Sequence, residues 1–275
     1  MTHFLFVPGT NSNLPQLARY SNNVTYNGHA IRNRKSYPFI HNNYTCVNFP
    51  EYDTELSKSN PIYDYLSYFG CRIKDYLTYT DSKGCEFIPM MNRYAMGQQI
   101  DVDCIRKIYS KKEFIYKGSL VSTQIAFGVS RGVPAIINWY DQDKPNIAGF
   151  IFEGGPSTLE NIVKHSKGVN YYYYKLIEKM APILTKYNPD GLNALDNILS
   201  LPKNVPILFI ASLNDTTVPW ECSHEMYKKL EDNGYTNIEF VLLKDANHND
   251  YLYNNEADRE MYINAIENFL TKINN

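Results

Sequence analysis

Residues 123–134 read TQIAFGVSRGVP, an apolar run followed by one serine between two glycines. Ser130 stands between Gly128 and Gly132, directly after the apolar run. This arrangement is typical of a tight strand-to-helix turn, in which glycines allow close approach of the backbone and the turn exposes the serine Oγ. Pro134 would fall in the first turn of the following helix, where a missing N–H costs little. The stretch therefore predicts a strand, a strained turn at Ser130 and a helix.

Apolar segments like the one before Ser130 recur along the chain. Several are apolar almost throughout rather than alternating, which is typical of strands that are covered on both faces. Segments with helical apolar spacing lie between them, for example residues 219–234. The sequence therefore predicts an α/β fold with a mostly parallel sheet of about six strands and helices on both faces. The predicted strands are residues 3–7, 44–49, 123–128, 147–153, 205–212 and 238–244.

Two stretches fit this alternation of strands and helices poorly. Residues 50–117 form a long connection before the serine motif, and residues 157–200 contain four consecutive tyrosines, Tyr171 to Tyr174. Four adjacent side chains cannot all face one way on a helix. One interpretation is partial burial of the rings, and the alternative is a cap whose rings line a pocket. We predict a single domain over residues 1–275, with an irregular insertion at about 50–117 and a cap insertion at about 157–200.

The composition excludes several classes of partner. Lys and Arg number 27 and Asp and Glu number 29, so the net charge of −2 gives no electrostatic footprint for nucleic acid or an anionic membrane. No apolar stretch approaches the ~20 residues that a membrane span needs. The opening residues lack a secretory signal, and five cysteines without C-x-x-C spacing indicate reduced thiols. We expect a cytoplasmic protein with no nucleic-acid partner and no membrane span.

The serine motif alone is weak evidence for a catalytic serine, because its pattern is expected by chance in roughly one chain of this length in ten. Its chemical partners must therefore be identified. A serine nucleophile requires a base, and the base requires an acid that fixes its tautomer. Asp215 follows the predicted strand 205–212, and His248 follows the predicted strand 238–244. Open α/β sheets gather ligands at the carboxyl ends of their strands, so the three side chains are expected to meet there. Glu153, after strand 147–153, is the rival for the acid.

Acyl transfer also requires donors for the negative charge that develops on the carbonyl oxygen. The backbone N–H of Arg131, the residue after the serine, is the first candidate. The second donor is expected in the loop VPGTNSN after the first strand, where Gly9 permits a turn. The N–H of Thr10 is the main candidate there, with Asn11 as the alternative. No histidine forms a metal-binding spacing such as H-E-x-x-H, so neither a metal nor another cofactor is expected.

With these residues in place, the chain resembles the α/β-hydrolase family, and within it the compact hydrolases related to prolyl-oligopeptidase catalytic domains and carboxylesterases. The resemblance covers most of the chain and is carried by GVSRG, PILFIASLNDTTVP and DANH. It implies a nucleophile at Ser130, an acid at Asp215 and a base at His248. The chain departs from the many relatives with His-Gly in the oxyanion loop, because it has Pro8-Gly9 there.

Two hypotheses about function follow. The first is a serine hydrolase that cleaves an ester, thioester or small amide through an acyl-enzyme, with a carboxylic ester favoured. Its partner would be a small-molecule substrate with an acyl group. The alternative is a catalytically inactive protein of the same fold that binds a small apolar ligand or a partner. Inactive relatives usually lose one of the three catalytic residues, whereas here all three are present in order.

Overall fold

The computed structural model describes most of the C-terminal two thirds of the chain and parts of the rest. The described residues are 2–7, 9, 20, 25–26, 29–30, 44–46, 96–109, 115–116, 119–120, 123–184, 187–248, 250–252 and 255–274. Within these ranges, none of the helices combines the length and the apolar character that crossing a membrane requires. Most of the predicted insertion at 50–117, including all of 51–95, lies outside the described residues.

Within the described residues, six parallel strands form the central sheet. They are β1 (Thr2–Val7), β4 (Tyr44–Cys46), β7 (Thr123–Val129), β8 (Gly149–Glu153), β9 (Ile207–Ser212) and β10 (Ile238–Leu243). Their order across the sheet is β10-β9-β8-β7-β1-β4. Two short antiparallel pairs lie outside this sheet, β2 (Thr25–Tyr26) with β3 (His29–Ala30) and β5 (Ile115–Tyr116) with β6 (Ser119–Leu120). The sequence did not indicate these pairs.

Alternate side chains of five strands enter two different cores, namely those of β1, β7, β8, β9 and β10. In β1, Leu5 joins the core that contains Trp139, while Phe6 joins the core that contains Tyr262. Successive side chains of a strand point to opposite faces, so a strand between two cores must be apolar at nearly every position. This explains why the strand segments do not alternate in polarity.

Seven α-helices connect or flank the strands in the described part of the chain. Their bounds are α1 (Gln99–Tyr109), α2 (Gly132–Asp143), α3 (Leu159–His165), α4 (Gly168–Leu184), α5 (Ala194–Asn197), α6 (Trp220–Asp232) and α7 (Glu256–Asn274). Helices α1, α2 and α6 cover one face of the sheet, and α7 covers the other. The predicted α/β fold, with about six strands and helices on both faces, is confirmed.

The chain order of the strands creates a switch point between β1 and β7. Strand β1 pairs with β4 on one side and with β7 on the other, so the connections from β1 and β7 lead in different directions. In open α/β sheets, ligands bind outside the carboxyl ends of the strands at such a switch point. Gly9 and the turn at Ser130 both follow strands that flank this switch point.

Candidate active site

The turn at Ser130 has the geometry that the motif predicts. Ser130 has a φ of 52°, in the left-handed region, which costs a non-glycine residue about 1–2 kcal/mol. Gly128 and Gly132 are in close contact across the turn, because a Cβ added to Gly128 would lie 2.9 Å from the carbonyl carbon and oxygen of Gly132. The backbone N–H of Ser130 donates to the carbonyl oxygen of Glu153 at 2.8 Å. The strained serine is therefore fixed between β7, β8 and α2.

Ser130, His248 and Asp215 lie within hydrogen-bond distance of one another as a chain of three side chains. The Nε2 of His248 lies 3.0 Å from the Oγ of Ser130, and its Nδ1 lies 2.6 Å from Oδ2 of Asp215. Each residue follows the carboxyl end of a different strand, β7, β10 and β9 respectively. When Nδ1–H donates to the Asp215 carboxylate, Nε2 has its lone pair free to accept a hydrogen bond from the Ser130 hydroxyl.

The carboxylate of Asp215 is completely buried and accepts four hydrogen bonds. Its Oδ1 accepts from the backbone N–H groups of Thr217 and Val218, each at 2.9 Å. Its Oδ2 accepts from His248 and from the phenol of Tyr251, the latter at 2.8 Å. Burial and the neighbouring Asp215 charge raise the pKa of Tyr251 well above its usual range, so this phenol stays a donor. A buried carboxylate with this many donors keeps one orientation.

The loop that carries His248 is held by contacts that the sequence analysis missed. The hydroxyl of Ser212 donates to the carbonyl oxygen of Ala246 at 2.6 Å, which joins the acid loop to the histidine loop. The buried carboxylate of Asp258 accepts the N–H groups of Lys244 and Asp245, each at 2.8 Å. Asn255 and Asp258, three residues apart at the start of α7, form a helix-capping pattern that could have indicated this role.

Glu153, the rival acid, has different partners. Its carboxylate accepts hydrogen bonds from the phenols of Tyr20 at 2.8 Å and Tyr262 at 2.6 Å. Both ring nitrogens of His248 are within hydrogen-bond distance of other groups, Asp215 and Ser130. Glu153 belongs instead to the core between the sheet and α7, and its backbone carbonyl supports the turn at Ser130.

The two predicted oxyanion donors differ in how far the structure describes them. Arg131 lies between Ser130 and the first residue of α2, so its backbone N–H is at the positive end of the helix dipole. Its side chain is buried and forms an ion pair with Asp101 of α1. Thr10 and Asn11 lie outside the described residues, whereas Gly9, two residues after β1, is described and buried.

Helices α3 and α4, within the predicted cap at 157–200, contact the region of the acid. The side-chain amide of Asn170 in α4 donates to the carbonyl oxygen of Thr216 at 2.9 Å. Tyr174 packs against Val218 and Cys222, and burial is the main reason that its pKa rises to about 12. Tyr172 is 74% exposed, so the four consecutive tyrosines divide between packing and solvent.

Glu225 of α6 joins the same region to the main body of the chain. Its carboxylate accepts from the amide of Asn161 at 2.7 Å and is paired with Lys164 and with His165. Asn161 and Lys164 belong to α3, and His165 is its last residue. The helix that precedes α4 is therefore fastened to α6, and α4 is fastened to the acid loop.

Comparisons with known proteins concern both the sequence and the fold. Residues 165–275 match the model of the prolyl oligopeptidase family. The acylaminoacyl peptidase of Pyrococcus horikoshii is 16% identical in sequence and superposes with a TM-score of 0.63. The match covers 98% of this chain and 37% of the peptidase chain. An acylaminoacyl peptidase in complex with Z-Gly-Gly-Phe-chloromethyl ketone is 16% identical, with a TM-score of 0.58 over 99% of this chain and 37% of its own. An esterase from Pyrococcus furiosus has a TM-score of 0.47 at 18% identity, over 64% of this chain and 63% of its own.

The matches cover only part of the similar proteins and, in the family model, only part of this chain. This chain spans 37% of the length of the two acylaminoacyl peptidases, and no curated protein matches its sequence. The matched range 165–275 contains Asp215 and His248, while Ser130 precedes it. The parallel sheet agrees with the likeness to the peptidases. The chain has the α/β-hydrolase fold, and its residues 165–275 are similar to the prolyl oligopeptidase family.

Proposed function

We propose that the chain is a serine hydrolase that cleaves a carboxylic ester, a thioester or a small amide through an acyl-enzyme. One observation carries this proposal, the hydrogen-bond path from Ser130 through His248 to Asp215, at 3.0 and 2.6 Å. A serine hydroxyl is a poor nucleophile until a base accepts its proton, and the base needs an acid to orient it. The path provides both partners at the carboxyl edge of the sheet.

In the first half-reaction, the Oγ of Ser130 attacks the carbonyl carbon of the substrate. The hydroxyl proton passes to Nε2 of His248, and the charge on the resulting imidazolium is stabilised by Asp215. His248 then gives this proton to the leaving alkoxide, thiolate or amine as the bond to the carbonyl carbon breaks. The acyl group remains as an ester on Ser130.

In the second half-reaction, water takes the place of the leaving group. His248 accepts a proton from the water as its oxygen attacks the acyl carbon, and a second tetrahedral anion forms. Collapse of this anion breaks the bond to Oγ, and His248 returns the proton to Ser130. The acid is released and the starting state of the triad is restored.

The tetrahedral anions need hydrogen-bond donors, for which we propose the backbone N–H of Arg131 and, from the loop after β1, that of Thr10. Arg131 is supported by its position beside the nucleophile and at the start of α2. Thr10 is supported only by its place in the sequence after β1. Removal of one donor of this kind typically lowers kcat by about 10²- to 10³-fold.

Residues 157–200 are proposed as a cap over the triad that restricts the site to a small substrate with an acyl group. The hydrogen bond from Asn170 to Thr216 supports this proposal, because it brings α4 to the loop that carries Asp215. The proposed location is cytoplasmic. A buried thiol at Cys222 that is in no disulfide is compatible with a reducing compartment.

The experiment that tests the hydrolase proposal is hydrolysis of p-nitrophenyl esters with graded acyl lengths. We expect turnover by the wild type and a roughly million-fold lower kcat in Ser130→Ala. Ser166→Ala is the matched control, since Ser166 is similarly buried but donates to the carbonyl oxygen of Ile162, and it should retain wild-type activity. A folded wild type that turns over no ester, thioester or amide would instead favour the ligand-binding alternative.

A further inference from the structure

An ion pair lies in the interior directly beside the proposed nucleophile. The Nε of Arg131 donates to Oδ2 of Asp101 at 2.9 Å, and Nη2 donates to Oδ1. Both side chains have an exposure of 0%, which is unusual for charged groups and requires that they be paired. Asp101 belongs to the first turn of α1. A helix that contributes nothing to the triad thus holds the residue that follows Ser130.

This pair is better suited to fixing geometry than to stabilising the fold. The removal of two charges from water costs about as much as their attraction returns, so apolar replacements of a buried pair are often neutral or stabilising. The planar fork of an arginine bound at two oxygens fixes both its position and its orientation. The Arg131 side chain therefore has one arrangement, and the backbone to which it is attached is constrained with it.

The same carboxylate also fixes the segment that packs on the start of α2. Oδ2 of Asp101 accepts the backbone N–H of Gly97 at 3.0 Å. A Cβ added to Gly97 would lie 2.5 Å from the carbonyl carbon of Pro134, so this segment is in direct contact with the first turn of α2. The carbonyl oxygen of Gly97 accepts the amide of Asn138, also in α2, at 2.9 Å. Asp101 is the point at which these contacts and Arg131 meet.

We propose that Asp101 is a positioning residue of the oxyanion hole. Through its ion pair with Arg131 it fixes the plane of the peptide that joins Ser130 to Arg131, and the N–H of that peptide is the first proposed oxyanion donor. This inference rests on the proposed hydrolase function. In this proposal, the backbone N–H of Arg131 is held in place by the turn at Ser130 and also by α1, through the ion pair of the Arg131 side chain.

The peptide that follows Ser130 is the one that needs such positioning. It can rotate about ψ of Ser130 and φ of Arg131 without changing the φ of 52° at Ser130, and that rotation would turn the Arg131 N–H away from the oxyanion. The hydrogen bond from the Ser130 N–H to Glu153 holds the turn from the preceding side. The ion pair holds it from the following side. A donor must lie about 2.7–3.1 Å from the oxyanion, so a small rotation is costly.

The test is a double variant, Asp101→Leu/Arg131→Met, which removes both charges and leaves neither buried alone. The variant also removes the acceptor of the Gly97 N–H, which destabilises the fold and offsets the gain from removing the buried charges, so kcat is measured per folded molecule. We expect kcat for p-nitrophenyl esters to be about 10- to 100-fold lower. KM should change by less than about threefold, because the lost interaction forms only in the transition state. A purely structural role would leave kcat per folded molecule unchanged.

A matched control is available in a second ion pair between the same two helices. Arg106 of α1 binds Asp143 of α2 with Nε at 2.9 Å and Nη2 at 2.7 Å, but this pair is partly exposed and lies at the far end of α2. Arg106→Met should leave kcat unchanged. Loss of kcat in this control equal to the loss in the double variant would overturn the proposal, since any contact between the helices would then suffice.

A second measurement separates the oxyanion hole from substrate binding. A trifluoromethyl ketone that forms a tetrahedral adduct with the serine should bind the double variant about 10- to 100-fold more weakly, in parallel with kcat. The carboxylate product should bind with unchanged affinity. Equal ketone affinity in wild type and double variant would overturn the inference.

A third variant covers the case in which the double variant fails to fold. Arg131→Lys keeps the charge and loses the planar fork, and it should also lower kcat at unchanged KM. Full kcat in this variant would overturn the proposal.

A wild type with no hydrolytic activity would remove the proposed function and this inference together. An active wild type with a fully active double variant would remove only the inference.

Discussion

The phenol of Tyr251 donates a hydrogen bond of 2.8 Å to Oδ2 of Asp215, the same oxygen that lies 2.6 Å from Nδ1 of His248. Two donors at one buried carboxylate oxygen fix its direction, so the imidazole meets the acid in a single orientation. Tyr251 follows His248 by three residues in the chain. The loop that carries His248 thus also carries a residue that supports Asp215.

Tyr251 makes the stability of the fold sensitive to alkaline pH. Burial, followed by the Asp215 charge, raises the pKa of Tyr251 in the folded state well above 10.0. Because the pKa is raised in the folded state, the stabilisation of the fold by the neutral Tyr251 phenol is fully present below about pH 10. This stabilisation is lost as the pH rises above that value. Above pH 10, the free energy of unfolding should therefore fall less steeply in Tyr251→Phe than in the wild type. The two slopes should differ by up to about 1.4 kcal/mol per pH unit.

Chemical denaturation at a series of alkaline pH values measures this slope. Tyr172→Phe is the control, because that ring is largely exposed and its removal should leave the slope as in the wild type. Identical slopes for Tyr251→Phe and the wild type would mean that the Tyr251 phenol does not carry the proposed linkage.

The identity of the acid predicts a contrast between two carboxamide variants. Asp215→Asn places an amide where the Nδ1–H of His248 needs an acceptor, which favours the wrong tautomer and should lower kcat by roughly 10⁴-fold. Glu153→Gln changes a carboxylate that is bonded to tyrosines, and its folded molecules should keep kcat within about tenfold of the wild type. Ester hydrolysis and thermal melting of both variants test this. The reverse order of activities would assign the acid to Glu153.

The sequence allowed prediction of features that depend on local pattern. Six apolar segments became the strands of one sheet, and the ends of β1, β7, β8, β9 and β10 differ from the prediction by at most two residues. Ser130, Asp215 and His248 were proposed from their places after strands, and parallel strands bring their carboxyl ends to one edge. The residue types and the chain order carried this information.

Contacts between distant parts of the chain could not be predicted in the same way. The ion pair of Asp101 with Arg131 and the hydrogen bond of Tyr20 to Glu153 join residues that no local pattern relates. They depend on how helices and loops pack on the sheet, which one sequence does not specify at the level of side chains. The hydrogen bond of Tyr251 to Asp215 was equally unpredictable, because a tyrosine three residues after a histidine indicates nothing more specific than packing.

The contact between Gly128 and Gly132 predicts the effect of a single methyl group. In Gly128→Ala the new Cβ would meet backbone atoms of Gly132 at 2.9 Å, so the turn must shift and unfolding should become easier by about 1–3 kcal/mol. The shift should also lower kcat, because Ser130 Oγ moves relative to His248. Gly168→Ala is the control for kcat, because a Cβ there would have nothing within 4 Å; its φ of 58° adds backbone strain but no clash at the turn of Ser130. Equal kcat in the two folded variants would contradict a role for this contact.

The cap proposal predicts a change in hydrogen exchange. Amides of α4 should exchange faster than those of β7 and β8, because Val169, Tyr172 and Leu176 on this helix are exposed, whereas both strands are buried. Exchange in α4 should slow when a covalent inhibitor occupies Ser130, if the cap covers the site. Asn170→Ala, which lacks the hydrogen bond to Thr216, should reduce this protection. Unchanged exchange in α4 with and without inhibitor would argue against a cap.

Covalent labelling with a fluorophosphonate tests the central claim most directly, because the reagent reacts only with an activated serine and its adduct resembles the tetrahedral intermediate. Peptide mass spectrometry should find one adduct per folded chain, on Ser130. Labelling should be absent in Ser130→Ala, strongly slowed in His248→Ala and unchanged in Ser166→Ala. A folded wild type that remains unlabelled, or that is labelled at another serine, would contradict the claim that Ser130 is the nucleophile.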